Sequence, residues 1–120
     1  MKNVITVTKA LADESRLRML MYLSKKELCL CQVIDLMDLS PSTVSKHIAI
    51  LHRAGLVSRR KDGRWHYYSL PKKNGNDVVR SSLKWLKKSL SEEKTIVDDM
   101  QDLKLVLRKG RDISCRQYKK

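Results

Sequence analysis

The stretch ELCLCQV, residues 27–33, sets Cys29 and Cys31 one residue apart, and the chain holds one further cysteine, Cys115. Thiolates bind soft thiophilic ions, exchange disulfides or, when buried, pack as small hydrophobes. An odd count of cysteines argues against a disulfide framework, and Cys29 and Cys31 lie too close in sequence for an easy mutual bridge. Free thiols or metal ligands are therefore expected in a reducing compartment. On a regular helix, residues i and i+2 point about 200° apart. Both sulfurs can grip one ion only where the helix start unwinds or is already irregular. No enzyme is expected: there is no phosphate-binding glycine loop and no supported nucleophile–histidine–acid set, with Cys29 and His47 the only imaginable pair. His47, His52 and His66 are explained by contact with a polyanion or by surface packing.

The second group with chemistry is cationic. The 26 Lys and Arg against 13 Asp and Glu give the chain a formal charge of +13, which points to a polyanionic partner, nucleic acid or an anionic membrane surface. From Ser40 to Lys73 stand eight basic residues (Lys46, Arg53, Arg59, Arg60, Lys61, Arg64, Lys72 and Lys73) and one acid, Asp62. The apolar content of 42% includes no Phe, so Leu, Val, Ile and Met must fill a modest core that a second copy would help to stabilise. No apolar run reaches the roughly 18 residues that suggest a membrane span. Acidic residues stand where a signal peptide would need its cleavage site, so a cytoplasmic location is expected.

The elements that position these groups read mainly α, in the α+β class. Leu11, Leu17, Leu20 and Met21 recur at helical spacing, with Asp13 or Ser15 able to cap a second helix after Ala12. Val33, Leu36 and Met37 mark a short amphipathic helix. Ser40 and Pro41 form a strong helix start, and Gly55 closes that helix. An Asp62-Gly63 pair between a basic run and WHYYSL signals a two-stranded hairpin. Two helices followed at once by a basic hairpin make a winged helix-turn-helix. In its second helix Val44, Ile48 and Leu51 face the core. Ser42, Thr43, Ser45, Lys46 and Arg53, with Arg59, Arg60, Lys61 and Arg64 of the wing, are the candidate contacts to double-stranded DNA.

Residues 1–75 are thus read as the DNA-binding unit with its cysteines, 76–109 as a C-terminal helical dimerisation segment, and 110–120 as a basic tail, weakly ordered when free. The apolar stripe of the long helical segment runs Val79, Leu83, Leu86, Leu90, Val97, Met100, Leu103 and Leu107. Together with Trp85 and the helix around Val4 to Leu11, it is assigned to a homodimer interface. The alternative is an intramolecular helical hairpin split at Ser91.

The blocks LADESRLRMLMYL, ELCLCQV, LSPSTVSKHIAILHRAGLV and KDGRWHYYSL resemble successive blocks of the ArsR/SmtB family of metal- and metalloid-responsive repressors, over residues 8 to 70. The resemblance implies a winged-helix homodimer that binds operator DNA and lets go when its ligand binds. Ser42 and Ser45 match the family's DNA-contacting serines. Pro41 stands where the family commonly has Gln, and Lys46 where it has His. ELCLCQV is similar to the ELCVCDL block that binds the ligand in the arsenic, antimony and cadmium–lead branches. This implies As(III) or Sb(III) held by Cys29 and Cys31, with Cd(II) or Pb(II) as the alternative. Arsenic repressors with this block often carry a third Cys where Ile34 stands here. Cys115 is the remaining sulfur, available from the same or the partner subunit. A redox or persulfide sensor joining Cys29 or Cys31 to Cys115 is a further alternative, as is a ligand-free architectural protein. No His follows His66, so the zinc or nickel site on the family's C-terminal helix is not expected. Neither a membrane nor a small-molecule substrate is expected as a partner.

Overall fold

A computed structural model describes residues 1–72 and 76–118; Lys73, Lys119 and Lys120 of the sequence reading lie outside the described residues. Helix α1 (Lys2–Leu11) leads into α2 (Glu14–Lys25), whose cap is Asp13, its side chain accepting the Arg16 N–H at 3.1 Å. A two-residue strand β1 (Leu28–Cys29) passes directly into α3 (Leu30–Met37), which ends at Asp38 in the left-handed conformation, φ 53°. Helix α4 (Pro41–Arg53) begins as its sequence dictates: Ser40 Oγ accepts the Thr43 N–H at 3.3 Å, and Pro41 sits where a backbone N–H would have no partner. Gly55, at φ 78°, supplies the left-handed residue that turns the chain out of α4.

Strands β2 (Ser58–Asp62) and β3 (Trp65–Ser69) form the wing, with Asp62 opposite Trp65. The hairpin loop is therefore Gly63-Arg64, one residue beyond the Asp62-Gly63 pair that signals it. Gly63 has φ 62° while Arg64 has no positive φ, the pattern of a turn with Gly at its first central position. The sheet order is β1-β3-β2, with Leu28 opposite Tyr68 and Cys29 opposite Tyr67. The strand β1 was not expected from sequence; two residues are too short to show a period. The core gathers Met19, Leu20 and Tyr22 of α2, Val33 of α3, Val44 and Leu51 of α4, and Leu28, Leu56 and Tyr68 around the sheet.

The C-terminal segment departs from the expected long dimer helix. Helix α5 (Asp77–Leu90), capped by Asn76, packs on α1 and buries Val79, Leu83 and Leu86. After Ser91 the chain turns, and α6 (Lys94–Lys109) runs back against α2 and α3. Ile96, Leu103 and Val106 are buried there, whereas Val97 and Leu107 of the expected stripe are exposed. The break at Ser91 resets the helical phase, so a stripe drawn through both helices keeps Met100 and Leu103 on the inner side of α6 but places Val97 and Leu107 on its outer side. The split at Ser91 that the hairpin alternative expects is present, with α6 packed on α2 and α3 of the winged-helix body. Arg18 of α2 fastens it, donating to both oxygens of buried Asp99 at 2.8 and 2.9 Å. Tyr22, buried beside that pair, has its phenol pushed above the ordinary range, chiefly by burial.

The tail, read as weakly ordered when free, is here docked: Arg111–Tyr118 form α7 on α3, with Ser114 and Cys115 buried. Among the described residues, no helix is long and apolar enough to cross a membrane.

Candidate thiolate centre and nucleic-acid interface

Cys29 closes β1 in extended conformation, φ −71° and ψ 151°, and Cys31 is the second residue of α3. This junction is the irregularity that a shared ion requires. The sulfurs of Cys29, Cys31 and Cys115 all lie within 4.8 Å of one another, and all three residues are buried. The Cys29 N–H donates to Gln32 Oε1 at 2.9 Å, which holds the strand-to-helix corner in place. Cys31 and Cys115 are joined as a disulfide across 84 residues, with their Cα atoms 4.9 Å apart, and Cys29 remains a thiol. The expectation of free thiols throughout is thereby corrected. The bridge becomes possible because α7 brings Cys115 to α3, not because of anything inside ELCLCQV.

The helix carrying Cys115 has other anchors. Asp35 of α3 accepts from Ser114 Oγ at 2.9 Å and pairs with Lys109 Nζ at 2.7 Å. Arg111 lies over the Trp65 ring at 4.3 Å and donates to the Tyr67 hydroxyl. Trp65 and Tyr67 pack against the three cysteines, so the cysteine cluster sits directly behind the wing. The sequence reading did not single out Arg111, Asp35 or Ser114; they are polar residues with no motif, and only their partners mark them.

The predicted DNA contacts divide between two faces. On α4, Ser42, Ser45, Lys46, Ala49 and Arg53 are exposed, and Val44, Ile48 and Leu51 are buried, as the helical spacing requires. Thr43 is half-buried, its hydroxyl 2.8 Å from Ser40 Oγ at the cap. Arg16 holds the helix from behind, 3.0 Å from His47 Nδ1 and donating to the Ala10 carbonyl at 2.7 Å. A shallow pocket of about 330 Å³ between α4 and the wing is lined by Ser45, Ala49, Arg53 and Arg59, among others. Lys61 shares the strand face of Arg59, because alternate residues of a strand point the same way.

Arg60 points to the opposite face, the one that carries Cys29 and Tyr67. Its guanidinium lies 4.3 Å over the Tyr67 ring and grips both Glu27 oxygens at 2.7 to 3.0 Å. That grip holds the Glu27 carboxyl below the usual range. The structure therefore does not bring Arg60 together with the other candidate contacts. Arg64, at the hairpin tip, lies 5.1 Å over Trp65 and is exposed.

Residues 13–59 match the family model described as bacterial regulatory protein, arsR family. The arsenical resistance operon repressor of Staphylococcus aureus is 38% identical over 80 residues, 67% of this chain and 77% of that protein. A cadmium resistance transcriptional regulatory protein CadC homolog of the same organism is 35% identical, over 67% of each. Among solved structures, HlyU from Vibrio cholerae N16961 aligns with a TM-score of 0.65 at 30% identity, covering 76% of this chain and 95% of that one. Other relatives share a shorter stretch: the match spans 51–58% of the length of arsenic or arsenical resistance regulators from Pseudomonas putida, Halobacterium salinarum and Escherichia coli.

Proposed function

We infer that this chain, which belongs to the ArsR family of bacterial regulatory proteins, is a DNA-binding transcriptional repressor whose hold on its operator is set by the thiolates of Cys29, Cys31 and Cys115. The inducer we assign is As(III) or Sb(III). One observation carries the assignment: three buried sulfurs from three elements, β1, α3 and α7, converge within 4.8 Å. A trivalent metalloid wants three soft donors, and this set supplies three sulfurs with no oxygen or nitrogen ligand needed. Ile34, at the position of the third cysteine in many arsenic repressors, is made good by Cys115 of the same chain. Loading requires the reduced form, since each thiol gives up its proton as the As–S bond forms and a water leaves from As(OH)₃.

The bound ion would supply charge neutralisation and a fixed spacing of the three sulfurs. The chain's own residues carry that spacing to DNA by two routes. Cys29 and Cys31 flank the corner between β1 and α3, and α3 packs on α4. Trp65 and Tyr67 connect the same sulfurs to the wing. Movement at the corner thus re-aims both DNA-facing elements. Linkage requires DNA to weaken inducer binding by the same factor.

In the DNA-bound form, exposed Ser42, Ser45 and Lys46 of α4 approach base edges and phosphates, and Arg53, Arg59, Lys61 and Arg64 meet the backbone. Two copies are required for two half-sites. The exposed apolar side chains Val4, Ile5 and Trp85 on α1 and α5 mark the face we assign to the two-fold interface.

The similarity to a cadmium regulator favours one second reading, Cd(II) or Pb(II) at the same sulfurs. Both are tested by titrating phosphine-reduced protein with arsenite, antimonite, cadmium or lead while following operator affinity by fluorescence anisotropy and counting thiols still open to alkylation. Arsenite is expected to release DNA with all three cysteines protected. Release by cadmium or lead alone would select the second reading, and protection of no thiol by any ion would sink both.

A further inference from the structure

We propose that the Cys31–Cys115 disulfide is a reversible gate on the thiolate centre: the oxidised chain is blind to As(III), and reduction arms it. This rests on the reading of the three cysteines as the inducer site. The bridge and the ion compete for the same electron pairs. With the bridge closed, Cys29 is the one thiol left in the cluster, and it is buried to 1% exposure. One thiolate can replace one hydroxyl of As(OH)₃, but the other two positions have no sulfur to receive them. The trigonal chelate therefore has no route to form until the bridge opens.

Closure is a two-electron oxidation, and a low-molecular-weight disulfide is a sufficient oxidant. The thiolate of Cys115 attacks one sulfur of that disulfide and expels one thiol. Cys31 then attacks the mixed disulfide and expels the second. Two protein thiols become one bridge, and the small disulfide becomes two thiols. Opening is the reverse, driven by an excess of small thiol.

The fold supplies the device that admits these reagents. Cys31 and Cys115 are 7% and 4% exposed, so exchange needs α7 to lift. An eight-residue helix does not hold itself together in water, and α7 persists through its docking on α3. Its own non-covalent anchors are Ser114 to Asp35 and Arg111 over Trp65 and Tyr67, and Lys109 at the end of α6 pairs with the same Asp35. When these let go, Cys115 reaches solvent. When they re-form, Cys115 returns to within bridging distance of Cys31. Docking therefore brings the sulfurs together for either outcome, and the redox state decides whether they join each other or wait for an ion.

The test compares one preparation in two states. The full chain is reduced with a phosphine, which does not compete for arsenite as a dithiol would, and a portion is then oxidised with glutathione disulfide and desalted. Intact mass should fall by two hydrogens, and peptide mapping should place the bridge at Cys31–Cys115. Arsenite is then titrated into both forms, followed by thiol protection and by emission of Trp65 in a Trp85→Phe background. The reduced form should saturate, the oxidised form should show no saturable binding, and renewed phosphine reduction should restore it. A Cys115→Ser chain, which lacks both the bridge and the third sulfur, should lose no hydrogens under the oxidant, and any two-hydrogen loss there would place the bridge elsewhere. Equal arsenite affinity in the two wild-type forms, or no bridge under glutathione disulfide, would overturn the gate and leave the repressor reading standing. Failure of the reduced form to bind any thiophilic ion would remove both.

Discussion

Arg59 and Arg60 are neighbours of identical chemistry that the strand sends to opposite faces. Arg59 joins α4 at the shallow pocket, while Arg60 is consumed by Glu27 and Tyr67. Replacing Arg59 with Ala is expected to weaken DNA binding across all sequences and to lower the slope of log affinity against log salt by about 1, as loss of one phosphate contact does. Arg60→Ala should leave that slope unchanged. Anisotropy titrations at several salt concentrations check both, and equal slopes for the two variants would refute the division of faces. Glu27 adds a pH dependence of known sign. Its folded carboxyl titrates below the usual range because Arg60 donates to it. A depressed carboxylate stabilises the fold at pH values above its unfolded pKa, and that contribution is lost as pH falls through its folded pKa. Glu27→Gln should therefore be less stable than wild type at neutral pH, and the two should converge in acid, as read from urea midpoints across the pH range.

At the scale of elements, the decisive contact is the one that folds α6 back. Asp99 is 4% exposed and is held by two charge-assisted hydrogen bonds from Arg18. Removing one partner leaves the other partly buried without its counter-charge, a cost larger than the pair's net contribution. Asp99→Ala should lower stability by about 2–4 kcal/mol in urea unfolding, toward the low end because Arg18 retains some access to water. Hydrogen exchange should speed in α6 before it speeds in α4. Uniform acceleration would mean that α6 is not separately anchored. The consequence reaches the thiolate centre, because α6 leads directly into α7 and Lys109 at its end pairs with Asp35. Loosening α6 thus also loosens the helix that delivers Cys115.

For the whole molecule, charge and symmetry act together. A formal charge of +13 favours any duplex, so on the proposed two-fold reading specificity comes from placing two copies of α4 in register. Trp85, 61% exposed on α5, lies on the face assigned to the two-fold contact. Trp85→Asp should shift sedimentation toward monomer and weaken operator binding more than binding to random duplex, with the monomer fold kept by circular dichroism. An unchanged sedimentation profile would place the interface elsewhere.

Much of this molecule can be read along the chain because its signals are local. Ser40 and Pro41 start α4, Gly55 ends it, and Val44, Ile48 and Leu51 choose its buried face; Gly63 turns the wing. Each is a matter of backbone dihedrals or of a period within one element, and these were enough to reach the winged helix-turn-helix and to single out Cys29 and Cys31. Contacts between elements far apart in sequence were not legible. Cys115 could be named as a partner for Cys29 or Cys31, but the choice of Cys31 across 84 residues could not; the strand at Leu28–Cys29 exists only through its pairing with Tyr67 and Tyr68, and Arg60 differs from Arg59 only by its partner. The break at Ser91 shows the boundary between the two kinds of information. The helical period was visible on both sides of it, but which face of α6 lies inside depended on Asp99 meeting Arg18, and no period within a helix records the position of another helix.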